Sequence, residues 1–222
     1  MGAASVLLQS GRVYAQGSDK IRVGLIGCGG RGCGAGIIDC AASSKGVELV
    51  AIGDLFKDRV EAAPERIKEN LKKRKLPVDE IYKVTPETMF VGFDAYKKVL
   101  ACNVDMVILT TPPNFRPEHF KAAVDAGKHV FIEKPVAVDP VGVRSVIETS
   151  ALAETKKLSV VAGTQMRRAA HIADAMRRIY GQETIEGMTV FVPLELPEVP
   201  LRINLNAFMG FKRLVVEGWR HA

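Results

Sequence analysis

Ile21-Arg-Val-Gly-Leu-Ile-Gly27-Cys-Gly29-Gly30-Arg31-Gly32 is the stretch whose reading decides the fold. It opens with a short apolar run, rich in β-branched side chains, that stops at a glycine cluster. That is the pattern of a buried strand. The cluster has the spacing Gly-x-Gly-x-x-Gly and leads into a helical segment, Gly36–Ala42. Each glycine of such a turn has its own use. Gly27 permits the tight turn, Gly29 lets backbone approach a pyrophosphate, and Gly32 allows helix to pack closely on strand. Backbone amides at the start of the helix then face the phosphates.

A glycine turn alone is a weak signal, so its surroundings matter. A second strand, Val47–Gly53, follows, and Asp54 stands just past its end, 22 residues after Gly32. The gap in a dinucleotide-binding βαβ unit is about 20. A carboxylate there accepts hydrogen bonds from ribose hydroxyls and repels a 2′-phosphate, which favours NAD. Lys57 and Arg59 close by leave NADP open. Two other readings stand beside this one. One is a glycine-rich turn with Asp54 merely capping a helix. The other is a methyltransferase binding S-adenosylmethionine, which also uses an acidic residue after the second strand. A short-chain dehydrogenase is disfavoured, because none of Tyr14, Tyr82, Tyr96 and Tyr180 has a lysine four residues on.

Outward from the turn, strands and helices alternate. A helix is expected over Lys57–Lys73, with Pro64 as an interruption. Leu76–Thr88 reads as a loop or an irregular excursion, and Asp94–Ala101 as a short helix with Tyr96, Val99 and Leu100 on its apolar side. Met106–Thr110 is a buried strand ended by the turn Thr111-Pro-Pro-Asn. Pro117 suits the start of a helix that Gly127 stops. His129–Ile132 is a strand followed by Glu133-Lys134-Pro135. Pro140–Lys156 is a helix with Val143, Val146 and Ile147 on one face. Ser159–Gly163 is a strand, and Arg167–Tyr180 reads as helix. This alternation predicts an α/β fold, a doubly wound parallel sheet covered on both faces.

The chain has 222 residues, 47% hydrophobic and 25% charged, which suits a folded domain plus a smaller second one. The net charge of +6 is scattered, apart from Lys72-Lys73-Arg74-Lys75. That run reads as a solvated helix end, where cations are favoured. It has no interleaved aromatics, so a nucleic-acid partner is not expected. The cysteines Cys28, Cys33, Cys40 and Cys102 form no CxxC pair, and the four histidines lack metal-ligand spacing. Buried thiols are expected, with no metal site. No stretch is long enough to span a bilayer. Residues 1–19 read as the back half of a secretory signal without its basic leading region, or as a plain tail.

Glu133-Lys134-Pro135 directly follows a strand, where ligands bind in open α/β sheets. A lysine there can hydrogen-bond a substrate hydroxyl and tune proton transfer; taken alone, the tripeptide is a surface lysine in a proline turn. Together the motifs say more. Gly27-Cys-Gly-Gly-Arg-Gly32, Thr111-Pro-Pro-Asn114, Ala126-Gly-Lys-His-Val-Phe-Ile-Glu-Lys-Pro135 and Gly163-Thr-Gln165 occur in this order. From about Lys20 to Tyr180 the chain resembles the glucose–fructose oxidoreductase/inositol dehydrogenase (Gfo/Idh/MocA) family.

The resemblance implies an NAD(P)-dependent oxidoreductase moving hydride between nicotinamide and a sugar or polyol. It implies that the turn Gly27–Gly32, Gly30 and Arg31 included, holds the cofactor beside Asp54. It implies that Thr111, Pro112, Pro113 and Asn114 border the cofactor and that Glu133 lies beside its ribose. Lys134 would line both nicotinamide and substrate as the catalytic residue, with Gln165 near the mouth. Residues 20–165 would form the NAD(P)-binding domain. Many relatives with such an N-terminus are exported by the twin-arginine route, so a periplasmic location is expected if residues 1–19 are a clipped signal, and a cytoplasmic one otherwise. Past Tyr180 the likeness stops. The family's second α+β domain and its Asp-x-x-x-His pair are not seen, and His221 and Asp174 are poor stand-ins. Residues 166–222 are expected to hold a linking helix and a shortened or atypical segment, from a truncated product with a frame shift near Gly181–Gly187. A cofactor-binding remnant without turnover is then the alternative to a working enzyme, and oligomeric state stays open.

Overall fold

The fold was read from a computed structural model. The structure describes residues 20–163, the helical residues Ala170 and Asp174, and the backbone of two short strands further on. The backbone parts into two units after Gly163.

The first unit is a six-stranded sheet in the order β3-β2-β1-β4-β5-β6. Its strands are β1 (Ile21–Ile26), β2 (Val47–Asp54), β3 (Met89–Val91), β4 (Met106–Leu109), β5 (His129–Glu133) and β6 (Val160–Gly163). Every neighbouring pair runs parallel. The strand order reverses between β1 and β4. At that switch point the carboxyl ends of the strands leave a crevice for a ligand.

The helices are α1 (Ile37–Ser43), α2 (Lys57–Lys73), α3 (Val78–Ile81), α4 (Ala95–Ala101), α5 (Arg116–Asp125) and α6 (Pro140–Thr155). They cover both faces of the sheet. Val23, Leu25, Leu49, Ile52 and Ile108 pack with Ile37, Val60, Ile67 and Leu71 on one side. Ile26, Ala51, Val107 and Leu109 pack with Val99, Phe120, Val124 and Ile132 on the other. Side chains on a strand alternate between faces, so Ile108 joins one core while its neighbours Val107 and Leu109 join the other. The doubly wound parallel sheet expected from the sequence is the fold.

Several local expectations change. The chain turns helical before Gly36: a π turn spans Gly32–Gly36, with Gly34 at φ −94° and ψ −111°, and α1 follows. Pro64 does not interrupt α2. Its missing N–H costs a helical bond. The stripe Val60, Ala63, Ile67 and Leu71 is fully buried, and that burial holds the helix together across the proline. Leu76–Thr88 is not a plain loop, for it contains α3 and a 3-10 turn, Pro86–Thr88. The edge strand β3 follows at once and pairs with Ile52–Asp54. Three residues are too few to display a strand's alternation. On α6 only Val146 of the expected apolar face packs against the core, while Val143 and Ile147 are exposed. The buried residues of that helix are Thr149 and Ala153.

In the second unit Thr189–Val192 (β7) pairs antiparallel with Leu201–Asn204 (β8). The expected helix Arg167–Tyr180 lies outside the described residues except at Ala170 and Asp174, which are helical.

Candidate cofactor site at the switch point

Gly27 ends β1 with φ +105°, a conformation that glycine adopts readily. A Cβ there would lie 2.7 Å from the Thr111 backbone nitrogen. A Cβ on Gly32 would lie 2.0 Å from the Gly27 carbonyl oxygen, well inside contact distance. The Thr110 hydroxyl donates to that same carbonyl at 2.7 Å. The glycine turn is therefore pressed between β4 and the helix it opens. Gly29 differs. It lines a cleft, and the nearest group to a Cβ built on it is Arg59 Nη1 at 3.8 Å. Gly30 has open space beside it. The turn is tight where protein meets protein and bare where it faces outward, which is the cradle that a pyrophosphate requires.

The cleft, of about 230 Å³, lies over the carboxyl ends of the central strands. Its walls include Gly27, Gly29, Asp54, Phe56, Thr111 and His119. Asp54 is buried, and its carboxylate ties two loops together. Oδ2 accepts from the Cys28 amide at 2.7 Å, and Oδ1 accepts from the Phe56 amide at 3.0 Å. Each carboxylate oxygen has a second lone pair, so Asp54 keeps capacity for ribose hydroxyls. Arg59 stacks over the Phe56 ring at 5.1 Å, on the same wall.

The opposite wall comes from the segment after β4. Thr111 and His119 share a hydrogen bond of 3.1 Å between Oγ1 and Nδ1. The His119 ring stacks on Tyr96, with centroids 4.3 Å apart. Burial pushes this imidazole down to about 4, so it is a neutral, flat wall at pH 7. Pro112 also lines the cleft, whereas Pro113 and the exposed Asn114 lie outside its walls.

Glu133 ends β5 and is buried, and its Oε1 meets Arg31 Nε at 2.7 Å and Nη2 at 2.6 Å. The turn before α1 is thus joined to the segment after β5 by an ion pair. A Cβ on Gly163 of β6 would lie 2.8 Å from the same oxygen, so the carboxylate also sits against β6. Lys134 follows, exposed, across a cis bond to Pro135. Gln165 lies outside the described residues.

The expected residues therefore fall into two groups. Gly27, Gly29, Asp54, Thr111 and Pro112 share the cleft. Arg31, Glu133 and Lys134 gather past the end of β5, beyond its walls. Both groups lie along the carboxyl edge of one sheet, as an extended two-part ligand such as a dinucleotide needs. Sequence reasoning missed Arg116. Its Nε donates to the Thr111 carbonyl at 2.7 Å, and its Nη1 donates to the Glu133 carbonyl at 2.9 Å and to the Pro135 carbonyl. Nothing in the sequence marks an arginine as a ligand of backbone carbonyls. His119 was missed likewise.

Cys28 and Cys33 are buried in the glycine turn, while Cys40 and Cys102 are half-buried, and none is disulfide-bonded. The contact with Cys33, together with burial, pushes the Cys28 thiol far up, so it stays protonated and inert. Among the described residues no group of His, Cys, Asp or Glu side chains is arranged to hold a metal ion. Among those residues, too, no helix is long and apolar enough to cross a membrane.

Comparison with known proteins agrees with this geometry. A glycosyl hydrolase family 109 protein from Streptomyces coelicolor is 30% identical over 131 residues, which are 59% of this chain and 25% of that protein. An alpha-N-acetylgalactosaminidase from Shewanella oneidensis is 30% identical over 134 residues, 60% of this chain and 26% of that protein. The chain thus spans about a quarter of the length of these curated relatives. A mutant 3-ketoreductase from Actinomadura kijaniata, crystallised with TDP-benzene and NADP, superimposes with a TM-score of 0.53 at 22% identity. That match covers 78% of this chain and 48% of the reductase, and it speaks for the fold alone. The model of the Gfo/Idh/MocA oxidoreductase family, described by its NAD-binding Rossmann fold, matches residues 21–164, and the chain belongs to that family.

Proposed function

We propose that residues 20–165 form the cofactor half of an NAD-dependent oxidoreductase acting on a carbohydrate-like alcohol. The observation that carries this reading is the two-part edge: a bare glycine turn with Asp54 in the cleft, and Glu133-Lys134 past the end of β5, joined by Arg31. In this reading Gly27, Gly29, Gly30, Gly32 and Asp54 bind the adenosine and diphosphate end, with Thr111, Pro112, Pro113 and Asn114 bordering them. Glu133 binds the nicotinamide-side ribose, and Gln165 stands near the mouth. Asp54 favours NAD over NADP, because a second negative charge beside its carboxylate is repelled.

When bound, the nicotinamide ring accepts or returns the hydride. Lys134 would donate a hydrogen bond to the reacting hydroxyl, and in its neutral amine form it would take up that hydroxyl's proton as the hydride leaves the carbon. The ion pair with Arg31 holds the Glu133 carboxylate in place for the ribose. The names of the curated relatives, which refer to glycosides, support a sugar as the substrate class.

The test is NADH formation from NAD+ with a panel of sugars, polyols and glycosides. The chain is expected to bind NAD+ and to turn over slowly at most, and Lys134→Ala is expected to lower whatever kcat is measured by about 100-fold or more. Binding of NAD+ with no turnover on any compound favours the cofactor-binding remnant. Turnover that Lys134→Ala leaves unchanged would remove Lys134 from the chemistry. Failure with every sugar, but turnover with another alcohol, would remove the substrate class.

A further inference from the structure

We infer that Arg116 is the positioning residue for Lys134, holding the backbone on both sides of it in register with the cofactor cleft. Arg116 is the first residue of α5, and its side chain is buried, with 6% of its surface exposed. One guanidinium nitrogen, Nη1, donates to the carbonyls of Glu133 and Pro135, the two residues that flank Lys134. The opposite arm, Nε, donates at 2.7 Å to the carbonyl of Thr111, whose residue lines the cleft. A single planar group therefore spans the ends of β4 and β5.

Burying a guanidinium is costly, and here its acceptors are three neutral carbonyls. Burial accordingly lowers the Arg116 pKa, and the Glu133 charge opposes that shift. Linking two loops needs no charge, since a neutral amide side chain could bridge two carbonyls. A rigid fork with fixed donor directions does what an amide cannot. It sets Thr111, Glu133 and Pro135 at fixed separations at once. Among the described residues, the Lys134 main chain makes a 3.3 Å contact between its amide and Glu133 Oε2 and no other hydrogen bond. Its placement is inherited from its two neighbours, and both are held by Arg116. Displacing a reacting group by about 1 Å can cost about 100-fold in rate, so such a clamp acts on chemistry without touching substrate.

The inference rests on the proposed function, with Lys134 on the nicotinamide side. It is tested by titrating the full chain with NADH and with ADP, which lacks the nicotinamide and its ribose. Wild type, Arg116→Gln and Arg116→Lys are compared. Wild type is expected to bind both ligands. Because Arg116 also borders the cleft, the ADP affinity is the internal reference, and both variants are expected to weaken NADH by about tenfold or more beyond any loss of ADP affinity. The lysine variant is not expected to rescue, because one ammonium cannot span three carbonyls. Unchanged NADH affinity in either variant overturns the inference. Equal loss of both ligands in both variants, or failure of both to fold, makes Arg116 a plain folding residue and overturns it too. Wild type that binds neither ligand would instead bring down the dinucleotide reading on which the inference stands.

Discussion

Asp54 shows how one residue serves fold and site together. Its two oxygens accept the amides of Cys28 and Phe56, so it closes the crevice before any ligand arrives. Its place at the end of the second strand was legible from spacing, although Asp54 is the last residue of β2 and not the first beyond it, whereas those two backbone bonds were not legible. Arg31, Arg116 and His119 were opaque in a similar way. Arg31 meets Glu133 across 102 positions, and Arg116 meets Glu133 across 17. Such pairs exist only once the sheet has brought the strand ends together. His119 carries a consequence for stability. Its ordinary value of 6.5 is lowered by burial to about 4 in the folded chain. Between those values the unfolded chain binds a proton that the native one refuses, so stability falls as pH drops from about 6.5 towards 4 and is unaffected above that window. The loss expected is on the order of 3 kcal/mol. Melting temperatures taken across that range should fall for the wild type, with a flatter acid limb in His119→Gln. An identical limb in the variant would assign the pH dependence to other groups.

Long elements with a clear period were read correctly, and short or crowded ones were not. β1, β2, β4 and β5 are largely apolar runs bounded by turn residues, and most of their residues are buried. β3 has three residues and no alternation to detect. The π turn over Gly32–Gly36 makes the chain helical before the expected start at Gly36, and Gly32 there is packed closely on Thr110 and the Gly27 carbonyl. The α6 face was misjudged because Val143 and Ile147 have helical spacing with Val146, yet of the three only Val146 packs against the core. α2 is the clearest contest between local and tertiary terms. Its buried stripe keeps Pro64 inside a continuous helix of 17 residues. Pro64→Ala restores a donor to the Val60 carbonyl without altering that stripe. It is expected to stabilise the domain by about 1–3 kcal/mol. Chemical denaturation measures this directly, and a destabilised variant would mean that the proline ring packs better than the structure indicates.

At the scale of the molecule, strand order explains why separate motifs act together. The order β3-β2-β1-β4-β5-β6 sets the glycine turn beside Asp54 on one side and beside the ends of β4 and β5 on the other. Alternating strands and helices predicted such a sheet, and the family match over residues 21–164 agrees with it. The substrate class is proposed and not legible in this sheet, because the described residues supply one edge of a site and no substrate wall. The central claim is that this edge binds a nicotinamide dinucleotide. Calorimetric titration of the full chain with NADH, and separately with S-adenosylmethionine, tests it most directly. NADH should bind with one-to-one stoichiometry, S-adenosylmethionine should not compete, and Gly32→Ala should abolish NADH binding because its methyl group meets the Gly27 carbonyl at 2.0 Å. Tighter binding of S-adenosylmethionine than of NADH, or no NADH binding by a folded wild-type chain, would contradict the account.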